Sequence, residues 1–163
     1  MNALFNWLEA SWINELMLGY PWSWPIFETL HFVGLCLLLG ALLIMDLRLL
    51  GFERSISLKT VHELMPVAIA GFAINLTTGL GFFLAVPRMY AYNWGFQAKM
   101  VLVLLAGLNF LVYYWKVEPV LVRNGPNAPL APLARIVGAV SLLSWFGVLC
   151  FGRLLPYLGS SGG

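Results

Sequence analysis

Charge is what this chain lacks. Only 10% of its 163 residues are charged, while 61% are hydrophobic. A soluble domain carries about 25% charge, so water is not the solvent for most of this surface. Residues 64–87, 100–115 and 136–152 hold no charged side chain, and 29–45 hold none besides the ionisable imidazole of His31. Histidine and cysteine are scarce too, at two each. Cys36 and Cys150 both fall inside apolar runs, where a thiol behaves as a small hydrophobe and no disulfide framework is expected. GxSxG, HExxH and phosphate-binding loops are all missing, which excludes the commoner catalytic motifs. A net charge of +2 without a basic cluster gives no reason to expect a nucleic-acid partner.

Basic residues are also missing from the first 20 positions. A signal peptide begins with a basic region, so residues 1–20 are not read as one. Phe5, Leu8, Trp12 and Leu16 fall at helical spacing, and the segment is expected to form an interfacial helix. At the other end, GSSGG (159–163) has no structural pattern and is read as a flexible tail outside the fold.

What is present is enough apolar length for four membrane crossings. A span needs about 20 mostly apolar residues, and trimming at charges and prolines predicts helices over roughly 25–48, 64–86, 95–117 and 132–155. The fold class expected is all-α: a four-helix transmembrane bundle over 21–158, preceded by the interfacial segment. The connections GFERSISLKTVHE (51–63) and VRNGPNAPLAP (122–132) leave no room for a separate soluble domain. Arg48, Arg54, Lys59, Lys116, Arg123 and Arg135 fall at one set of helix ends, six of nine cations. Positive charge favours cytoplasmic loops, which predicts a multi-pass protein of a bacterial inner (cytoplasmic) membrane with both termini outside. Trp and Tyr at 22, 24, 90, 92, 94 and 157 then form an outer aromatic belt.

The other three cations, Arg88, Lys99 and Arg153, fall toward that outer level. Glu28 and His31 join them on the first span, with His31 about 9 Å along the axis from Pro25. Ionisable groups inside a membrane usually face the bundle interior and pair. Glu28 and His31 are three apart and share a face, and Gly34 continues it. This pattern supports a heme b site. His31 would be the metal ligand, Glu28 would orient or tune it, Gly34 would leave room for the macrocycle, and Arg88, Lys99 and Arg153 would hold propionates. Electron transfer near the outer face follows, with a quinone or an outer redox protein as partner.

Other readings fit the same residues. They form a satisfied polar layer with small residues for close packing, or they line a path for a small solute or ion in a channel or transporter subunit. A structural or assembly subunit of a membrane complex is a further alternative. His62 begins the second span, and His31 lies near the opposite end of the first. The two are expected roughly 20 Å apart across a core of about 30 Å, so they cannot share a metal. A second axial ligand would be Met89, Met100, water or a group from another protomer. Copper(I) suits Met, His and Cys, but the methionines are scattered and Cys36 lies on a different face from His31. Asp46 and Arg48 are expected to form an inner clasp with Lys116 and Glu118, and Asn75 and Asn109 to bond between helices.

The run from Trp24 to Gly51, with Pro25, Glu28, His31, Gly34 and Gly40 and ending in DLRLLG, resembles a family of small bacterial four-helix inner-membrane proteins of unknown function. That family is in turn loosely similar to the copper-resistance D proteins and the membrane b-type cytochromes. QAKMVLVLLAGLN and SLLSWFGVLCFGRLLPY continue the resemblance, which covers about 22–157. It implies a cofactor or metal near His31. The b-type cytochromes usually offer paired histidines on facing helices, and this chain has no such pair. Association with copies of itself, within a lipid bilayer, is expected for so small a bundle with Gly- and Ser-rich faces.

Overall fold

A computed structural model describes residues 2–52, 57–124 and 130–158. Arg54 and the tail 159–163, on which two of the expectations above fall, lie outside the described residues.

Two short helices come first, α1 (Asn2–Glu9) and α2 (Trp12–Gly19). The expected single interfacial helix is broken because Ser11 caps a new start, its hydroxyl accepting from Asn14 N at 3.3 Å. The break divides the expected apolar face: Phe5 is buried, while Trp12 and Leu16 are exposed. Asn14 donates to the Ala85 and Leu84 carbonyls at 2.7 and 3.2 Å and so satisfies the end of α4, and Met17 is fully buried.

Four long helices follow the expected spans. They are α3 (Ser23–Leu50), α4 (Leu58–Ala85), α6 (Trp94–Val112) and α8 (Pro132–Leu158), with the short α5 (Pro87–Ala91) before α6. All four spans are long and apolar enough to cross a bilayer, the third running on through Arg123. Ser57 and Asn93 cap α4 and α6. Gly51 ends α3 at φ 90°, where its N–H reaches the Leu47 and Arg48 carbonyls. This left-handed turn is the reason DLRLLG ends in glycine. After α6 the chain widens into a π turn, Tyr113–Val117, before α7 (Glu118–Asn124). Pro119 has no N–H to give the Trp115 carbonyl and its ring crowds that oxygen, so the backbone opens just ahead of it.

The helices pack in an arc, α4 on α3, α3 on α8, and α8 on α6. The tightest seam is α3 on α4. A Cβ on Gly71 would stand 2.6 Å from Leu38 N, and one on Gly34 would stand 3.0 Å from the Gly71 carbonyl. Small residues therefore bring these two backbones together, as in membrane helix pairs generally. Among the described residues, α4 and α6, the two ends of the arc, share no comparable seam. They meet at the aromatic end, where Phe83 stacks on Phe96 with centroids 5.7 Å apart. At the other, basic end His62 Nδ1 stands 2.9 Å from Glu118 of α7.

Candidate functional site

The aromatic end holds the residues that the sequence singled out. His31, partly buried, directs Nδ1 to the Thr78 hydroxyl oxygen at 2.7 Å. Thr78 hands its own proton back to the Ile74 carbonyl at 2.7 Å, so His31 is the donor. Its other nitrogen, Nε2, then keeps a lone pair. The Phe82 ring stands edge-on to the imidazole at 5.7 Å, and Lys99 lies within electrostatic range. Lys99 runs along Gly152, with Nζ 3.7 Å from where a Cβ there would stand. Three spans therefore meet around the imidazole.

The rest of the expected set is dispersed. Gly34 leaves no room for a flat ring, because Asn75 and Ile74 of α4 occupy the space beside it. Arg88 turns to the N-terminal segment, pairing with Glu9 at 2.9 Å, hydrogen-bonding Asn6 and lying 5.7 Å over the Phe5 ring. Glu28 is exposed. It stands close enough to Tyr90, on α5, that burial first and then the Glu28 carboxylate hold that phenol above its ordinary value. Arg153 is exposed on α8, and Met89 and Met100 are exposed as well. No group of three or more His, Cys, Asp and Glu side chains gathers around a point among the described residues. His62 cannot join His31. It lies on the same helix as Thr78, His31's partner, and sixteen residues from it, or about 24 Å.

Toward the basic end lies a feature that the sequence did not announce. Because α4 and α6 do not pack together, a partly open cavity of about 340 Å³ remains between them. The size falls at the low end of the range typical of ligand pockets, about 300–1,000 Å³. All four spans line it. Leu42, Met65, Phe72, Val103, Phe110 and Trp145 supply apolar walls, and Asp46, Asn109, Tyr113 and Ser141 supply the polar groups. Among the described residues the lining holds one acid, no base and no histidine.

Asp46 is 3% exposed, and its Oδ2 has no hydrogen-bond partner among the described residues. Ser141 hydrogen-bonds the carboxyl group from α8, and the Tyr113 phenol lies within electrostatic range of both Asp46 and Glu118. Asn109 donates Nδ2 to the Val137 carbonyl at 3.0 Å, which leaves its Oδ1 as an acceptor. Of the clasp expected between Asp46 and Arg48 and the pair Lys116 and Glu118, Asp46 takes a hydrogen bond from Ser141 and Glu118 pairs with His62 at 2.9 Å. A buried carboxyl with an unmet oxygen beside an open apolar space is the strongest chemical signal in the bundle. Local sequence could not show it, because Asp46 reads there as a helix-end charge.

A family of unknown function (DUF6644) is matched over residues 4–158, nearly the whole chain. No curated protein and no solved structure matches, so the looser resemblance to copper-resistance D proteins and b-type cytochromes has no match behind it. The chain belongs to the DUF6644 family.

Proposed function

We propose that this member of the family is an integral membrane protein that binds a bilayer-soluble small molecule inside its helix bundle, admitting it sideways between α4 and α6. One observation carries the reading. Asp46, whose buried Oδ2 has no hydrogen-bond partner among the described residues, lines a cavity that all four spans border. An unsatisfied buried polar atom costs about 1–3 kcal/mol, so a fold that keeps one next to open space is explained by an occupant. The apolar walls suit the body of such a molecule, and the polar groups suit its head.

The test is extraction and mass spectrometry of protein purified in mild detergent. Gly107 borders the cavity, and a Cβ there would meet nothing within 4 Å. A side chain at Gly107 starts in open space beside the cavity, and Gly107→Phe is the variant chosen to block it. A compound retained near one per chain in the native protein and lost in Gly107→Phe supports the reading. The same loose lipid mixture from both would overturn it.

Heme b at the aromatic end is the second reading, and the His31–Thr78 contact favours it. Donation from Nδ1 to Thr78 leaves Nε2 as the ligating atom, the arrangement metal-bound histidines usually have. On this reading His31 is the axial ligand, Lys99 and Arg153 are the cations left for propionates, and electron transfer to a quinone or an outer redox protein is the activity. Gly34 and Arg88, engaged elsewhere, have no part in it. Oxidised and dithionite-reduced visible spectra with a pyridine hemochrome assay test it. A b-type spectrum lost in His31→Ala is expected, and a colourless protein made with ample heme removes the reading.

A further inference from the structure

The cleft's polar valences restrict what it can hold. We infer that its occupant is an uncharged amphiphile with a hydroxyl-bearing head, a long-chain alcohol or a quinol, whose hydroxyl bonds Asp46 Oδ2 and Asn109 Oδ1 while its apolar chain lies out between α4 and α6. This inference rests on the cleft being a binding site.

The argument begins with charge. Among the described residues, the lining contains Asp46 and no Lys, Arg or His. An anionic head, such as a phosphate or carboxylate, would meet a carboxyl group with no cation to offset it. A cationic head has a different difficulty. The gap between α4 and α6 is closed at the aromatic end by the Phe83–Phe96 stack and at the basic end by the His62–Glu118 pair. The cleft therefore opens at the level of the hydrocarbon, and a permanently charged head would have to cross hydrocarbon to reach Asp46. An uncharged head is left.

Hydrogen bonding narrows it further. Asn109 has given its N–H to Val137 and keeps only an acceptor, Oδ1. Asp46 Oδ2 is unpaired, and Ser141 already serves the same carboxyl group. An ether or ester accepts and cannot donate, so it would leave Asn109 Oδ1 unmet. A hydroxyl both donates and accepts: it donates to Asn109 Oδ1 while accepting from Asp46 Oδ2 when that carboxyl carries its proton, and when the carboxyl is ionised its single proton goes to Asp46 instead. The chain has a path out as well. Ile69 of α4, which borders the cavity, is 54% exposed, and Gly107 on the α6 side leaves its flank open.

The test uses the full-length protein in phosphatidylcholine vesicles with a photoreactive, clickable long-chain alcohol, its methyl ether and the matched carboxylic acid. The alcohol is expected to label peptides bearing Met45, Phe72 or Trp145 about ten-fold more than the ether or the acid, the worth of one net hydrogen bond. Gly107→Phe should abolish that labelling, and Asp46→Leu should lower the alcohol to the level of the ether. Competition with an unlabelled isoprenoid alcohol or a reduced isoprenoid quinol then identifies which source displaces the probe. If all three probes label the cleft alike, head selection fails while the cleft remains a binding site. If none labels cleft peptides above lipid-facing ones, the binding site fails as well. Should Asp46→Leu not fold, comparing the three probes on the native protein still decides the matter.

Discussion

His31 Nδ1 and the Thr78 hydroxyl oxygen stand 2.7 Å apart, and the threonine spends its own proton on the Ile74 carbonyl. The imidazole is thus a donor that bridges α3 and α4. Thr78→Val should remove that bridge and the hydroxyl together. Bonds between membrane helices are worth about 0.6 kcal/mol on average and up to about 1.7, so a modest fall in the unfolding midpoint in mild detergent is expected. No change at all would mean that the contact does not hold the helices.

The α3–α4 seam should be far less tolerant. Gly71→Leu places carbon where Leu38 backbone already lies, and forced overpacking costs about 1–3 kcal/mol or more. Gly40→Ala, on the same pair of helices, is the control, because a Cβ there meets nothing within 4 Å. The two variants are expected to separate clearly in thermal unfolding followed by size-exclusion chromatography.

Arg88 ties α1 to the bundle through Glu9, Asn6 and the face of Phe5. The ion pair is close to half exposed on each side, and exposed pairs are worth about 0–1 kcal/mol. Arg88→Gln should therefore leave global stability nearly unchanged while speeding amide exchange and protease cleavage in residues 2–9. High salt should move the native protein in the same direction.

Tyr90 gives the fold an alkaline limit. Burial and Glu28 raise its phenol in the folded state above the ordinary value of about 10. The stability linked to that shift is fully present below about pH 10 and is lost as pH rises through the folded value. Tyr90→Phe should flatten the fall in unfolding midpoint above about pH 10. Glu28→Gln should move one phenol to a lower titration point, read by absorbance near 295 nm.

Asp46 is expected to separate stability from binding. Replacing a buried, half-satisfied carboxyl with an apolar group of similar shape is often neutral or stabilising. Asp46→Leu should hold or raise the unfolding midpoint while losing the hydroxyl-headed ligand. A sharp loss of stability would show instead that the carboxyl is structural.

Composition was enough to read the four spans, because membrane length and the absence of charge act over 20 residues at a time. It did not show how those spans sit around one another. Gly34 looked like space for a ring, yet α4 had already taken the space. Asn75 looked like an interhelical bond, yet its Nδ2 donates to the Gly71 carbonyl of its own helix at 3.0 Å. Asn109 does bond between helices, to Val137 of α8. Asn93 carries no such mark in the sequence, yet it caps α6 and also reaches the Leu155 carbonyl at 3.0 Å. His31 could be read because a lone imidazole in an apolar helix is conspicuous by type. The cleft is a property of the gap between α4 and α6, and no residue type marks a gap.

The arc of helices also sets an order of assembly. Asp46 enters the membrane on the first long helix, and α3 and α4 can close on their glycine seam before the rest of the chain is made. Its hydrogen-bonding neighbour Ser141 arrives only on the last helix, ninety-five residues later. Until then the first pair of helices carries a carboxyl group that the bilayer disfavours. Arrival of α8 is therefore the step that commits the chain, and truncation before Ser141 should leave an intermediate that membrane quality control recognises and removes.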